Sequence, residues 1–218
     1  MIREVNFKRW AVLGVFMALI GSLPARASVL ITVGSASANR GDIGDFLEVV
    51  LTNPGPGTQN IGAFNFEISV PSGSGITFTS VTTSTSGPYI FAGDSFAGPI
   101  ISDLTPFPGP GQTIDASDLS NSGNGTNVDA GTTVVLGHVL FNVSGSAPLG
   151  PVSVTLNTIT PGATSLSDSL GNNVTYTGND GKITITGAVP EPSTLVLVWL
   201  AVPGLVALRR RLLPATRL

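Results

Sequence analysis

The sequence predicts an all-β protein, an antiparallel β-sandwich of the jelly-roll kind, set between two apolar ends. Three observations carry this reading. Apolar and polar residues alternate with period two through the middle of the chain, where helical spacing is almost absent. Clusters of Pro, Gly and Asn interrupt that alternation at a spacing of roughly 8 to 12 residues, as turns between short strands do. One run, TVVLGHVLFNV from Thr133 to Val143, is apolar on both faces and reads as a central strand buried inside the stack.

At the amino end, Arg3, Lys8 and Arg9 precede the apolar run Ala11 to Ile20 and the small-residue site Ala25-Arg26-Ala27. That order of charge, apolar core and small-x-small ending is a secretory signal peptide, residues 1–27, cleaved before Ser28. An uncleaved anchor is the alternative, but the apolar run is shorter than the ~20 residues a membrane span needs.

The exported part, residues 28–188, then unfolds as strands. In IGAFNFEISV, Phe64, Phe66, Ile68 and Val70 point one way and Asn65, Glu67 and Ser69 the other. Val152, Val154 and Leu156 alternate with Ser153, Thr155 and Asn157; Val174 with Tyr176, and Ile183 with Ile185, continue the pattern. NPGPG (Asn53 to Gly57), PSGSG (Pro71 to Gly75), TPFPGPG (Thr105 to Gly111) and GNDG (Gly178 to Gly181) are the turns. The stretch Asp115 to Gly131, DASDLSNSGNGTNVDAG, lacks apolar periodicity and is expected to form one long exposed loop. About 160 residues suffice to bury roughly two thirds of the unfolded surface in one domain. With no cysteine in the chain, that core holds without disulfides.

At the carboxyl end, residues 189–218, Val189-Pro190-Glu191-Pro192-Ser193 precedes the uncharged run Leu195 to Leu208 and the cluster Arg209, Arg210 and Arg211. The run reads as a transmembrane helix (195–208). Its fourteen residues rise only about 21 Å as helix against a hydrocarbon core of ~30 Å, and Pro203 removes a hydrogen bond, so it is a weak anchor. The arginines stop on the cytoplasmic side and place Pro190 and the acidic domain outside.

Charge excludes one class of partner. Residues 28–188 carry Arg40 and Lys182 against eleven carboxylates, a net charge of -9. Such a surface repels phosphate backbones, and nucleic acid is not an expected partner. Nor does the sequence spell an enzyme. His138 is the single histidine and lies within the apolar GHVLF, where a structural role is expected. Gly93-Asp94-Ser95-Phe96 lacks the Asp-x-x-His partner of a serine hydrolase, since Val135 stands three before His138, and Ala97 stands where a nucleophile elbow ends in glycine. No cofactor is expected with one exception: Asp115, Asp118 and Asp129, with Asn121 nearby, offer the hard oxygen donors that calcium takes. They match neither EF-hand spacing nor the glycine-rich nonapeptide repeat, and a merely solvated loop is the alternative. Arg40-Gly41-Asp42 precedes a strand and reads as a turn.

Two resemblances stand on these residues. Val189 to Ser193, the apolar run and Arg209 to Arg211 together resemble a PEP-CTERM sorting signal. That resemblance implies an exosortase substrate of a Gram-negative bacterium. Such a protein is exported by the secretion machinery, held transiently in the inner membrane, cleaved near the motif, and sent to the cell surface or extracellular matrix. Across Val29 to Gly187, ITVGSASANRGDIGDFLEVVLTN with its Gly41-Asp42 turn, IGAFNFEISV, VLGHVLFNVSGSAPLGPVSVTL and NDGKITI are similar to a cohesin-type domain. This implies a nine-stranded jelly roll. The matched residues are fold residues and include no recognisable dockerin-binding surface.

The expected function is therefore a non-enzymatic binding or structural module associated with exopolysaccharide or a surface protein. The alternatives are an exported polymer-acting hydrolase and a cohesin-like receptor for a dockerin-like ligand. Trp10 and Trp199 both lie outside the middle of the chain, which leaves no tryptophan platform for sugar stacking.

Overall fold

Two long strands, Ile43–Thr52 and Thr133–Val143, organise the protein, and a computed structural model describes them within residues 28–103 and 113–187. The signal peptide with Ala25 and Ala27, the turn Thr105 to Gly111, the motif Val189, Pro190, Glu191, Pro192 and Ser193, the run 195–208, and Arg209, Arg210 and Arg211 lie outside the described residues.

The strands are β1 (Val29–Val33), β2 (Ser35–Asn39), β3 (Ile43–Thr52), β4 (Gln59–Ile61), β5 (Ala63–Ser69), β6 (Ile76–Thr82) and β7 (Ile100–Asp103). They continue with β8 (Thr113–Leu119), β9 (Thr126–Val128), β10 (Thr133–Val143), β11 (Gly150–Leu156), β12 (Ser165–Ser167), β13 (Tyr176–Asn179) and β14 (Gly181–Thr186). The described residues contain no helix and form an all-β sandwich. One sheet has the order β13-β1-β3-β10-β6 and the other β2-β14-β11-β5-β8-β7, with β12 also on β5 and a small β4-β9 ribbon beside them.

Alternation explains which faces meet. Leu47, Val49 and Leu51 of β3 and Val139, Phe141 and Val143 of β10 are buried, facing Phe64, Phe66 and Ile68 of β5, Ile114 and Ala116 of β8, and Ile183 and Ile185 of β14 across the core. Phe66, Phe78, Phe91 and Phe141 are fully buried, each contributing about 1.5–3 kcal/mol by leaving water. The run apolar on both faces has a specific cause: a bulge lies between Val135 and Gly137, with Leu136 in the core and Val135, paired with Val50, buried against Gly87. The turn NPGPG is held by Asn53, whose amide donates to the Gly57 and Val128 carbonyls at 2.7 and 2.8 Å.

The chain ends depart from a purely antiparallel stack. β1 pairs in parallel with β13, and β2 in parallel with β14. The first strand crosses from one sheet to the other at Gly34, and the last crosses beside it between Asn179 and Gly181. The crossing needs bare backbone: a Cβ on Gly181 would strike the Gly34 carbonyl oxygen and lie 2.8 Å from that of Val33. These divisions, with the short pairs, resolve the expected nine strands into fourteen segments among the described residues.

Two ends of the sandwich result. At one, Val29 lies against Tyr176, Leu30 against Thr52, and Thr52 against Thr133. At the other, Thr186 lies against Asn39 and the Arg40 turn meets Val143 and Ala147, and Gly187 leaves the fold there.

Candidate binding groove

The three aspartates proposed for calcium are held apart. The expected long loop is instead β8, a turn, and β9, because Ile114, Ala116 and Asp118 alternate inward on β8. Asp115, three residues from Asp118, therefore points to the opposite face, where its Oδ2 is 3.4 Å from the Asn65 amide. Asp129 accepts a hydrogen bond from the Thr58 hydroxyl at 2.8 Å. No group of three or more His, Cys, Asp or Glu side chains is arranged for a metal among the described residues.

Asp118 is buried and works as a structural clasp. Its Oδ2 accepts from the Tyr89 and Ser95 hydroxyls, both at 2.5 Å, and its Oδ1 from the Leu119 N–H at 2.8 Å. Burial, and then the Asp118 carboxylate, push the Tyr89 hydroxyl far above its ordinary pKa, so it remains a donor. Ser95 thus has its hydroxyl committed to a carboxylate and to the Gly98 N–H, with no histidine beside it. Asp94 accepts from the Ser120 and Ser122 hydroxyls and the Ser122 N–H, which hold its carboxyl below the usual range. His138 stacks on Phe46 with ring centroids 4.0 Å apart, and its Nδ1 lies 3.6 Å from Glu48. Glu48 in turn accepts from the N–H and hydroxyl of Ser86, so this cluster pins the chain at 83–88 to the outer sheet face.

A groove forms at the end of the sandwich where Tyr176 meets Val29. Its first basin, about 650 Å³, is lined by Gln59, Asn60, Asp168, Asn172, Asn173, Val174 and Thr175. A second, about 600 Å³, shares Val174 and Thr175 and adds Thr158, Tyr176, Thr177 and Gly178. Some of these groups build the walls. The Asn60 amide donates to Asn124 and Asn127, and its oxygen accepts the Ser169 N–H. Asp168 closes its own turn on the N–H groups of Leu170 and Asn172 and on the Asn172 amide, contacts that keep its carboxyl below the usual range, the Asn172 side chain foremost. The Tyr176 hydroxyl donates to the Thr164 carbonyl at 2.7 Å. Gly62 lets the 168 turn come close, since a Cβ there would lie 2.6 Å from the Asp168 carbonyl oxygen.

Other groups in the groove are unspent. The side chains of Gln59, Asn173, Thr158, Thr175 and Thr177 make no hydrogen bond among the described residues. Amides and hydroxyls that both donate and accept suit a hydroxyl-bearing ligand, while Val174 and Tyr176, which alternate with Thr175 and Thr177, pack against the core. Strand alternation singles out Val174 and Tyr176 but not these amides; the run Gly171 to Thr175, GNNVT, is the local signal for them.

No family model and no curated protein matches the chain. Solved structures do. A cohesin of Clostridium acetobutylicum, CohA2, is 20% identical over 76% of this chain and 95% of its own, with a TM-score of 0.56. The OlpA cohesin of Clostridium thermocellum, solved with a dockerin, is 16% identical over 73% and 99%, with a TM-score of 0.53. A non-cellulosomal cohesin from the archaeon Archaeoglobus fulgidus is 18% identical over 75% and 94%, with a TM-score of 0.52. Identities this low speak for architecture alone, and the architecture of the described residues is a cohesin-like β-sandwich.

Proposed function

We propose that this chain is an exported, exosortase-sorted protein of the cell surface or extracellular matrix whose sandwich is a non-enzymatic module binding exopolysaccharide. On this reading residues 1–27 are the signal peptide, 28–188 the binding domain and 189–218 the sorting signal. The observation that carries the binding role is the groove at Gln59, Asn173 and Tyr176, which amides and hydroxyls without a partner line, and where the one lining carboxylate among the described residues, Asp168, accepts from its own turn on both oxygens. General acid or nucleophile chemistry on a glycoside needs two available carboxylates, and this groove supplies none. The test is retention of the protein by the producing bacterium's exopolysaccharide in native affinity gels. Retardation that is lost on Gln59→Ala with Asn173→Ala supports the role, and unchanged mobility removes it. Intact mass of surface-released protein tests the sorting half, with loss of Arg209 to Arg211 expected.

A second reading is a receptor for a dockerin-like protein. Its support is the likeness in fold to cohesins solved with dockerins. Pull-down of a helical protein ligand, unaffected by the groove substitutions, separates it from the first.

A further inference from the structure

We infer that the groove takes a neutral, hydroxyl-rich glycan chain and not a uronate, sulfated or amino-sugar polymer; this rests on the proposed exopolysaccharide role. The first ground is the placement of the cations. Among the described residues the basic side chains are Arg40, Lys182 and His138. Arg40 donates its Nε to the Ala147 carbonyl at the far end of the sandwich. Lys182 lies on β14 beside Ser153 and Ser35, and His138 lies on the outer face of the other sheet against Phe46. None of the three lines the groove. A carboxylate or sulfate on the polymer would enter the field of a domain with net charge -9 and meet no cation to pair with.

The second ground concerns a cationic polymer. Asp168 is the single carboxylate lining either basin among the described residues. Its Oδ1 accepts two backbone N–H groups at 2.9 and 2.8 Å and its Oδ2 the Asn172 amide at 2.9 Å, so its oxygens are directed into their own turn. An ammonium would feel the general field, but three of the carboxylate's four acceptor sites are already taken by its own turn. The free groups are instead of the kind that serve neutral hydroxyls: Gln59 and Asn173 each offer a donor and an acceptor, and Thr158, Thr175 and Thr177 offer hydroxyls.

The third ground is shape. The two basins share Val174 and Thr175, so they adjoin along one stretch of chain from Val174 to Gly178. Because the Tyr176 hydroxyl is tied to Thr164, this wall is fixed before any ligand arrives, which lowers the ordering cost of binding. Adjoining basins seat successive rings of a chain.

The test uses the full chain in detergent micelles and, as probe, the producing bacterium's exopolysaccharide separated by ion exchange into neutral, acidic and basic fractions. Native affinity gels are run at low salt and at 0.5 M sodium chloride. The expected result is retardation by the neutral fraction, unchanged by salt, and weakened about tenfold in Gln59→Ala/Asn173→Ala. Thr175→Ala/Thr177→Ala gives a second variant should the first lose its β-sheet circular dichroism. Retention confined to the acidic or basic fraction, or erased by salt, overturns the neutral-glycan inference and leaves exopolysaccharide binding standing. Retention by the neutral fraction that neither variant weakens overturns the groove as its seat. Retention by no fraction removes the exopolysaccharide role itself.

Discussion

Replacing Asp118 by alanine should cost about 3–5 kcal/mol of stability, a large share of what a domain of this size possesses. Asp118 occupies an inward position of β8, following Ile114 and Ala116, where alternation calls for an apolar residue. It is 4% exposed and accepts from Tyr89, Ser95 and the Leu119 N–H. Hydrogen bonds to a charged acceptor are worth about 1.5–3 kcal/mol each, and a buried donor left unpaired costs about 1–3 kcal/mol. The Ser95 hydroxyl is only partly buried and finds water, but Tyr89 is 7% exposed and does not. The loss also loosens Phe91, which is fully buried, meets Tyr89 edge-on and stacks on Phe64 with centroids 5.9 Å apart. Tyr89→Phe keeps the ring and removes the donor, so it should cost only about 1–2 kcal/mol. Because both changes break the same bond, the double variant should be less destabilised than the two losses combined, by about 1 kcal/mol or more. Urea unfolding followed by far-ultraviolet circular dichroism measures all three. An Asp118→Ala loss below 1 kcal/mol, or strict additivity with Tyr89→Phe, would sink the clasp.

Three other outcomes are expected. Gly181→Ala should destabilise by about 3 kcal/mol because its Cβ meets the backbone oxygens of Gly34 and Val33, whereas Gly145→Ala, with open space around it, should stay within about 0.5 kcal/mol; equal losses in urea melts would refute the crossing argument. Asp45→Asn should raise Tm at pH 7 and lose that advantage below about pH 4: burial, then the Asp42 charge, raise the Asp45 carboxyl above its ordinary pKa, so the native state binds more protons and stability falls as pH rises through the window above about 3.9. A pH-independent difference in Tm would count against it. Millimolar calcium should change Tm no more than sodium chloride at matched ionic strength, since Asp115, Asp118 and Asp129 do not converge; a calcium-specific rise abolished by the triple change to asparagine would restore the metal site.

Legibility in the sequence followed the physics of alternation. β5, β10 and β14 are evident because one face carries Phe, Ile or Val at every second position. β8 is not, since TIDASDL places Asp118 where an apolar residue signals the core, and only its partners Tyr89 and Ser95, far away in sequence, make that aspartate affordable. β2, SASAN, has no large apolar residue to announce a strand; it exists because β14 pairs with it residue by residue from Lys182 to Thr186. The groove is less legible still. It joins Gln59 and Asn60, Thr158, and the stretch from Asp168 to Gly178, and its amides sit in turns whose conformation is set by local hydrogen bonds, not by any period.

The positions of the two ends constrain how the proposed parts work together. The groove lies where Tyr176 meets Val29, while Gly187 leaves the fold beside Asn39 and the Arg40 turn, at the opposite end of the sandwich. β10 alone runs eleven residues between those ends, about 35 Å at ~3.3 Å per residue. On the proposed reading, residues 188–194 are all that separate the sandwich from the apolar run beginning at Leu195. On that reading seven residues, at most about 25 Å of chain, would keep the exit end near the bilayer with the groove on the far side. Cleavage near Pro190 then removes an attachment at one end without touching a residue of the groove at the other. Glycan binding should therefore be the same before and after processing, and the consequence of cleavage is release of an already competent module.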